Sequence, residues 1–190
     1  MNENIVNQII QMNEDLAGFW SDCDGWAPPE AYELLSKSRL DWQVELSKTL
    51  RYWNFEKPVN GQLILAWANL GALIEGSLKL LLSVHFEDYN ESEVNYKKNG
   101  KVKDPDGLDL ERLKLFYKKE DILDGKWITY IELVQQRRNA IHAFKDRPLG
   151  TPREFNDCVI KYLELLYQID DLLPYPDEEI SIEAERIAHN

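Results

Sequence analysis

Apolar residues recur along most of this chain at spacings of three and four, the mark of helices with one buried face. Ile5, Ile9, Met12 and Leu16 predict a short first helix. The stretch from Gly18 to Pro29, with Asp24-Gly25 and Pro28-Pro29, interrupts it. A second helix is predicted from Pro29 to about Asn54, with Leu34, Leu35, Trp42, Leu46, Leu50 and Trp53 on its apolar side. Lys57-Pro58-Val59-Asn60-Gly61 ends that unit. Asn60 is read as the N-cap of a third helix reaching roughly His85. That helix is apolar almost all round, so it belongs at the centre.

The next segment, Glu87 to Gly107, is polar and rich in Lys, Asn and Asp. Its Asn99-Gly100 pair suits a type I′ hairpin, but Lys98 and Lys101 would then face each other. A loop or a small hairpin is therefore expected near 87–107. Helical pattern returns with Leu108, Leu113, Phe116 and Tyr117 and pauses at Asp124-Gly125. It resumes through Trp127, Ile131 and Val134. Thr151-Pro152-Arg153-Glu154 opens a last helix, with Thr as cap, Pro at the first position and Glu completing a capping box. The expected fold is all-α, a bundle of about five helices in one domain over residues 1–175. An acidic tail follows over 176–190.

Composition narrows the function. Of 190 residues, 44% are hydrophobic and six are Trp, enough for a real core. The longest apolar region, Leu63 to Val84, is broken by Asn69, Glu75 and Lys79. With no basic-then-apolar leader pattern at the N-terminus, a cytoplasmic protein without membrane association is expected. Cys23 and Cys158 have no CxxC partner, which disfavours a disulfide framework or a thiolate zinc site. His85 and His189 lack metal-ligand spacing to His142, and no Walker loop, GxGxxG turn or GxSxG elbow occurs. No metal and no cofactor are expected.

A net charge of −12 argues against a general nucleic-acid coat, and no DNA binding is expected. The charge is uneven, however. Residues 97–161 hold 15 Lys and Arg against 11 Asp and Glu, a local +4 that leaves −16 elsewhere. An acidic body with a mildly basic middle admits a phosphate locally while repelling long RNA at a distance.

Within that middle lies Gln136-Arg137-Arg138-Asn139-Ala140-Ile141-His142-Ala143-Phe144. Arg grips phosphate oxygens with two prongs, and His moves a proton near neutral pH. On an unbroken helix Arg138 and His142 share a face. Arg137 stands about 140° away from His142 at ~100° per residue. For Arg137 to converge with His142, the helix must bend or end between them, or the two must meet partners across an interface. Glu75, a carboxylate in an apolar helix, needs a partner or an exposed edge; Arg137 or Arg138 would serve. Asn139 and Tyr130 could add hydrogen bonds to a phosphate, although Tyr130 fits the core better.

This segment resembles the HEPN family (higher eukaryotes and prokaryotes nucleotide-binding), all-α proteins marked by Arg, four to six residues, then His. Arg137 and His142 match that spacing. The run Ala72-Leu73-Ile74-Glu75-Gly76-Ser77-Leu78-Lys79 looks like the inner helix preceding the motif, so the likeness covers about residues 60–173. HEPN motifs often follow the Arg with Asn, Asp or His. Pairing Arg138 with Asn139 restores that feature and leaves three residues before His142. The resemblance implies a metal-independent endoribonuclease with Arg137 and His142 catalytic and with Arg138, Asn139 and Glu75 supporting. It implies a homodimer with the motif at the shared interface, acting as a toxin or defence effector under a regulatory or antitoxin protein. The alternative is a non-catalytic module that binds a protein partner or a nucleotide through the same surface.

Overall fold

A computed structural model describes residues 2–55, 59–142 and 144–175. The predicted tail and the Lys57-Pro58 part of the second break lie outside these residues. The first helix, α1 (Glu3–Trp20), starts where the Asn2 side chain accepts from the Asn4 N–H at 3.1 Å. It runs through Gly18, because Trp20 extends the buried stripe of Ile9, Asn13 and Leu16 by one more turn.

The predicted second helix is two helices, α2 (Pro29–Ser36) and α3 (Leu40–Lys48), followed by a 3-10 turn over Thr49–Tyr52. Lys37-Ser38-Arg39 has no apolar side chain to bury, and the Ser38 hydroxyl donates to the Leu35 carbonyl at 2.6 Å. The break lets α2 lie on the central helix while α3 packs against both that helix and α1. The central helix, α4 (Asn60–Val84), has the expected extent. Its cap position belongs to Val59 in extended conformation, and Asn60 is the first helical residue; no side-chain capping bond forms.

A short α5 (Phe86–Glu91) precedes a hairpin of β1 (Lys97–Lys98) and β2 (Lys101–Val102). Asn99 at φ 53° and Gly100 at φ 76° make the tight turn, and Lys98 does face Lys101. Both lysines are exposed, so water screens them. The buried Tyr89 hydroxyl donates to the Lys103 carbonyl at 2.9 Å and ties the hairpin to the core. Next come α6 (Leu110–Lys119), α7 (Gly125–Arg138) and α8 (Pro152–Asp171). Asp109, Asp124 and Thr151 cap them through their side-chain oxygens. Among the described residues there are thus eight α-helices rather than about five, since the second and fourth predicted units each divide and α5 adds one.

By length and composition α4 could cross a membrane. In this fold it packs against α2, α3, α6, α7 and α8. Trp67, Leu70, Leu73, Ile74 and Leu78 are fully enclosed. A polar residue inside such a helix must find partners. Asn69 Nδ2 donates to the Leu46 carbonyl at 3.1 Å, and Asn69 Oδ1 accepts from Thr49 Oγ1 at 2.9 Å and Trp53 Nε1 at 2.8 Å. That single amide sets the register of α3 and its 3-10 turn on α4. Asn69→Leu, which orphans these groups, is expected to cost about 2–4 kcal/mol in urea unfolding. An unchanged midpoint would remove Asn69 as the register lock.

Candidate anion site at the end of α7

The α-helical part of α7 stops at Arg138, and Asn139–His142 tighten into a 3-10 turn packed on α4. The helix therefore does end between Arg137 and His142. The two arginines nevertheless turn to different helices. Arg137 Nε donates to Glu154 Oε1 at 2.8 Å, Nη2 forms an ion-pair contact with the same oxygen at 2.8 Å, and Nη1 donates to the Pro148 carbonyl at 2.8 Å. Its side chain is only 15% exposed.

Glu154 completes half of the expected capping box. Its N–H donates to Thr151 Oγ1 at 3.1 Å, while its carboxylate serves Arg137. One residue from Pro148, the Leu149 carbonyl accepts from Trp67 Nε1 at 2.7 Å. Gly150 adopts φ 69°, and a Cβ there would stand 2.7 Å from Glu154 Oε2. Arg137, Trp67 and Glu154 together strap residues 148–150 onto α4, α7 and α8.

Arg138 crosses α4 at Gly71, where an added Cβ would come 2.4 Å from the Arg138 Cδ. Its Nη1 donates to Glu75 Oε2 at 2.6 Å, with a longer contact of 3.4 Å to the Gly71 carbonyl. Lys79 Nζ reaches the other Glu75 oxygen at 2.9 Å and the Asp106 carbonyl at 3.1 Å. Glu75 thus pairs with Arg138 and not with Arg137. Burial pushes the Glu75 carboxyl up, but bonds from Arg138 and Lys79 together outweigh it and hold the group below its ordinary range.

His142 is exposed and bonds neither arginine; its side chain makes no hydrogen bond to a described residue. Asn139 is half-buried at the C-cap of α7. Tyr130 is in the core, donating to the Cys158 carbonyl at 2.7 Å. Burial raises the Cys158 thiol to about 11, which suits packing and not nucleophilic work.

A guanidinium has five N–H donors. Arg137 donates hydrogen bonds from Nε and Nη1 and has Nη2 in ion-pair contact with Glu154, whereas Arg138 donates from Nη1 alone and its side chain is 29% exposed. Arg138 Nε and Nη2 bond no described residue, so an incoming oxyanion meets open donors on Arg138. Glu154 and Gly71 are the two participants that sequence reasoning missed. Thr-Pro-x-Glu read only as a cap, and Gly71 carried a signal only in lying four residues before Glu75. Around the site, Ile141 and the fully exposed Phe144 present apolar surface, as do Leu65, Ala68 and Ala72 along the open strip of α4.

No family model, curated protein or solved structure matches the chain.

The Glu75 cluster has a pH signature. A carboxyl held below its unfolded value of about 4.3 adds stability above that pH, and loses it as pH falls through the folded value. Glu75→Gln is therefore expected to lower the urea midpoint at pH 7, with the gap from wild type closing as the pH is taken below about 4. A gap independent of pH would mean that the pair contributes shape and not charge.

Proposed function

We propose that this chain is a HEPN-like, metal-independent endoribonuclease acting on RNA in the cytoplasm, with its site at the end of α7. The observation that carries this reading is Arg138: a guanidinium anchored at one prong by Glu75, open at the other nitrogens, four residues before an exposed histidine. Such a group is pre-set to hold a phosphate oxygen in a flat two-pronged contact. His142 takes the proton of the ribose 2′-hydroxyl as its oxygen attacks phosphorus. The P–O5′ bond breaks and water protonates the departing 5′-oxygen, leaving a 2′,3′-cyclic phosphate and a 5′-hydroxyl. The sequence motif gave the phosphate to Arg137. On its bonding, Arg137 is better placed as the residue that fixes the strap after His142, and the catalytic pair becomes Arg138 and His142, with Glu75 orienting Arg138 and Asn139 at the helix cap.

The site is shallow on one chain, and its surroundings suit a second copy. Leu65, Ala68 and Ala72 form a strip of modest side chains on which another helix can close, with Ile141 and Phe144 beside the histidine. A two-fold axis through this face sets two sites against each other. An uncontrolled ribonuclease is toxic, so a toxin or defence role under an antitoxin or regulatory protein follows from this activity.

A second reading, a non-catalytic module binding a protein or nucleotide, is favoured by one observation. Both arginines already have carboxylate partners, and no described group orients His142 as a base.

Cleavage of a mixed-sequence RNA separates these readings. Arg138→Lys is expected to lose roughly 10²–10³ in rate, because an ammonium cannot copy the planar grip. Arg137→Lys should lower thermal stability while keeping the rate within about tenfold. The reverse ranking returns the phosphate to Arg137, and an inert wild type matched by His142→Ala leaves the binding module. Activity should survive EDTA. Sedimentation at micromolar concentration should show a dimer that Ala72→Glu breaks; a monomer at that concentration removes the shared site.

A further inference from the structure

Beside the ion-pair cluster, α2 and α3 on one side and the Asp104–Asp106 segment on the other enclose a cleft of about 450 Å³. That volume is typical of a small-molecule site. Its apolar lining comes from Leu34, Leu35, Leu40, Leu80 and Phe86.

The polar groups divide sharply by kind. Every cation in the cleft is already paired: Lys37 with Glu33 at 2.6 Å, Arg39 with Asp41 at 2.5 Å, and Lys79 with Glu75 at 2.9 Å. The carboxylates of Glu30, Asp104 and Asp106 pair with no cation among the described residues. The Gln43 amide spends its NH₂ on the Leu73 carbonyl at 2.8 Å, which leaves Oε1 over Gly76 with no donor from a described residue. Ser83, nine-tenths buried in the lining, makes no side-chain hydrogen bond to a described residue. The cleft therefore offers unpaired carboxylates on different elements, the Gln43 Oε1 acceptor, the Ser83 hydroxyl and an apolar floor, while each of its cations already has a carboxylate partner.

We propose that this cleft binds a linear aliphatic polyamine. Ammonium groups would sit against Glu30 on α2 and Asp104 and Asp106 across the gap, with the methylenes laid on the leucines and Phe86. A chain of separated ammonium groups matches carboxylates that stand on different elements. A divalent ion needs ligands converging on one point, and among the described residues no group of three carboxylates, histidines or cysteines does so. The site is independent of the ribonuclease reading and requires no catalysis.

Calorimetry of the full chain with spermidine at about 150 mM salt, where diffuse attraction to the −12 charge is screened, tests this. One-to-one saturable binding is expected. It should weaken at least about tenfold in Asp104→Asn/Asp106→Asn and in Glu30→Gln. The charge-matched control Asp22→Asn/Asp24→Asn, outside the cleft, should bind as wild type. Circular dichroism of each variant confirms folding, and Ser83→Thr, which crowds the cleft with one methyl, gives a second variant expected to weaken binding. No saturable heat, equal weakening in the control pair, or binding of inorganic phosphate in place of spermidine would each overturn the proposal.

Discussion

The arrangement of this protein rests on the desolvation of α4. A 25-residue helix enclosed by its neighbours cannot leave polar side chains dry and unbonded, since each orphaned group costs about 1–3 kcal/mol. Three of its polar residues accordingly recruit three different partners. Asn69 is bonded by α3 and the 3-10 turn behind it. Ser77 shares a network with Gln43 and with Tyr162 of α8, whose hydroxyl burial raises to about 12. Glu75 takes Arg138 from α7. Leucine packing alone would let these helices slide, whereas the buried hydrogen bonds admit one register. Gly71 and Gly76 make room, because Arg138 and Gln43 lie where a Cβ would be.

The same requirement separates two adjacent arginines. Consecutive residues on a helix point ~100° apart, so Arg137 and Arg138 cannot serve one neighbour. Arg138 falls on α4 and neutralises Glu75. Arg137 falls on α8 and the strap at 148–150. The Arg138 guanidinium is held through Nη1, while that of Arg137 is bound at both ends, by Glu154 and by the Pro148 carbonyl, and forms part of the frame. Lys79, bonded to both Glu75 and the Asp106 carbonyl, joins this cluster to the rim of the neighbouring cleft. The acceptor-rich cleft and the arginine-bearing turn thus lie on opposite ends of one polar network.

Much of the fold was legible in local pattern. The three-and-four spacing of Ile5 to Leu16, the all-round apolar run of α4 and the Thr151-Pro152 start all correspond to helices, because periodicity and capping act within a few residues. Asn99-Gly100 likewise needs only its own backbone to turn. The break at Lys37–Arg39 was harder to read, since Leu34, Leu35 and Trp42 keep a plausible helical phase through it. What divides α2 from α3 is that both lie on α4, but α2 also packs on α5 whereas α3 also packs on α1.

At the candidate site the sequence by itself determined the residue types: two guanidiniums, a histidine and a carboxylate in an apolar helix that required a partner. It determined too that Arg137 and Arg138 must face different ways. Only the tertiary structure decided which carboxylate each would meet. Glu75 lies 63 residues from Arg138 and Glu154 lies 17 from Arg137, and both pairings depend on how three helices cross. The Glu154 carboxylate shows the physical reason most plainly. Local rules offered it the Thr151 N–H, and the approach of α7 offered a charged, two-pronged donor. The stronger, charge-assisted contact prevailed, and no reading of Thr-Pro-Arg-Glu alone contains it.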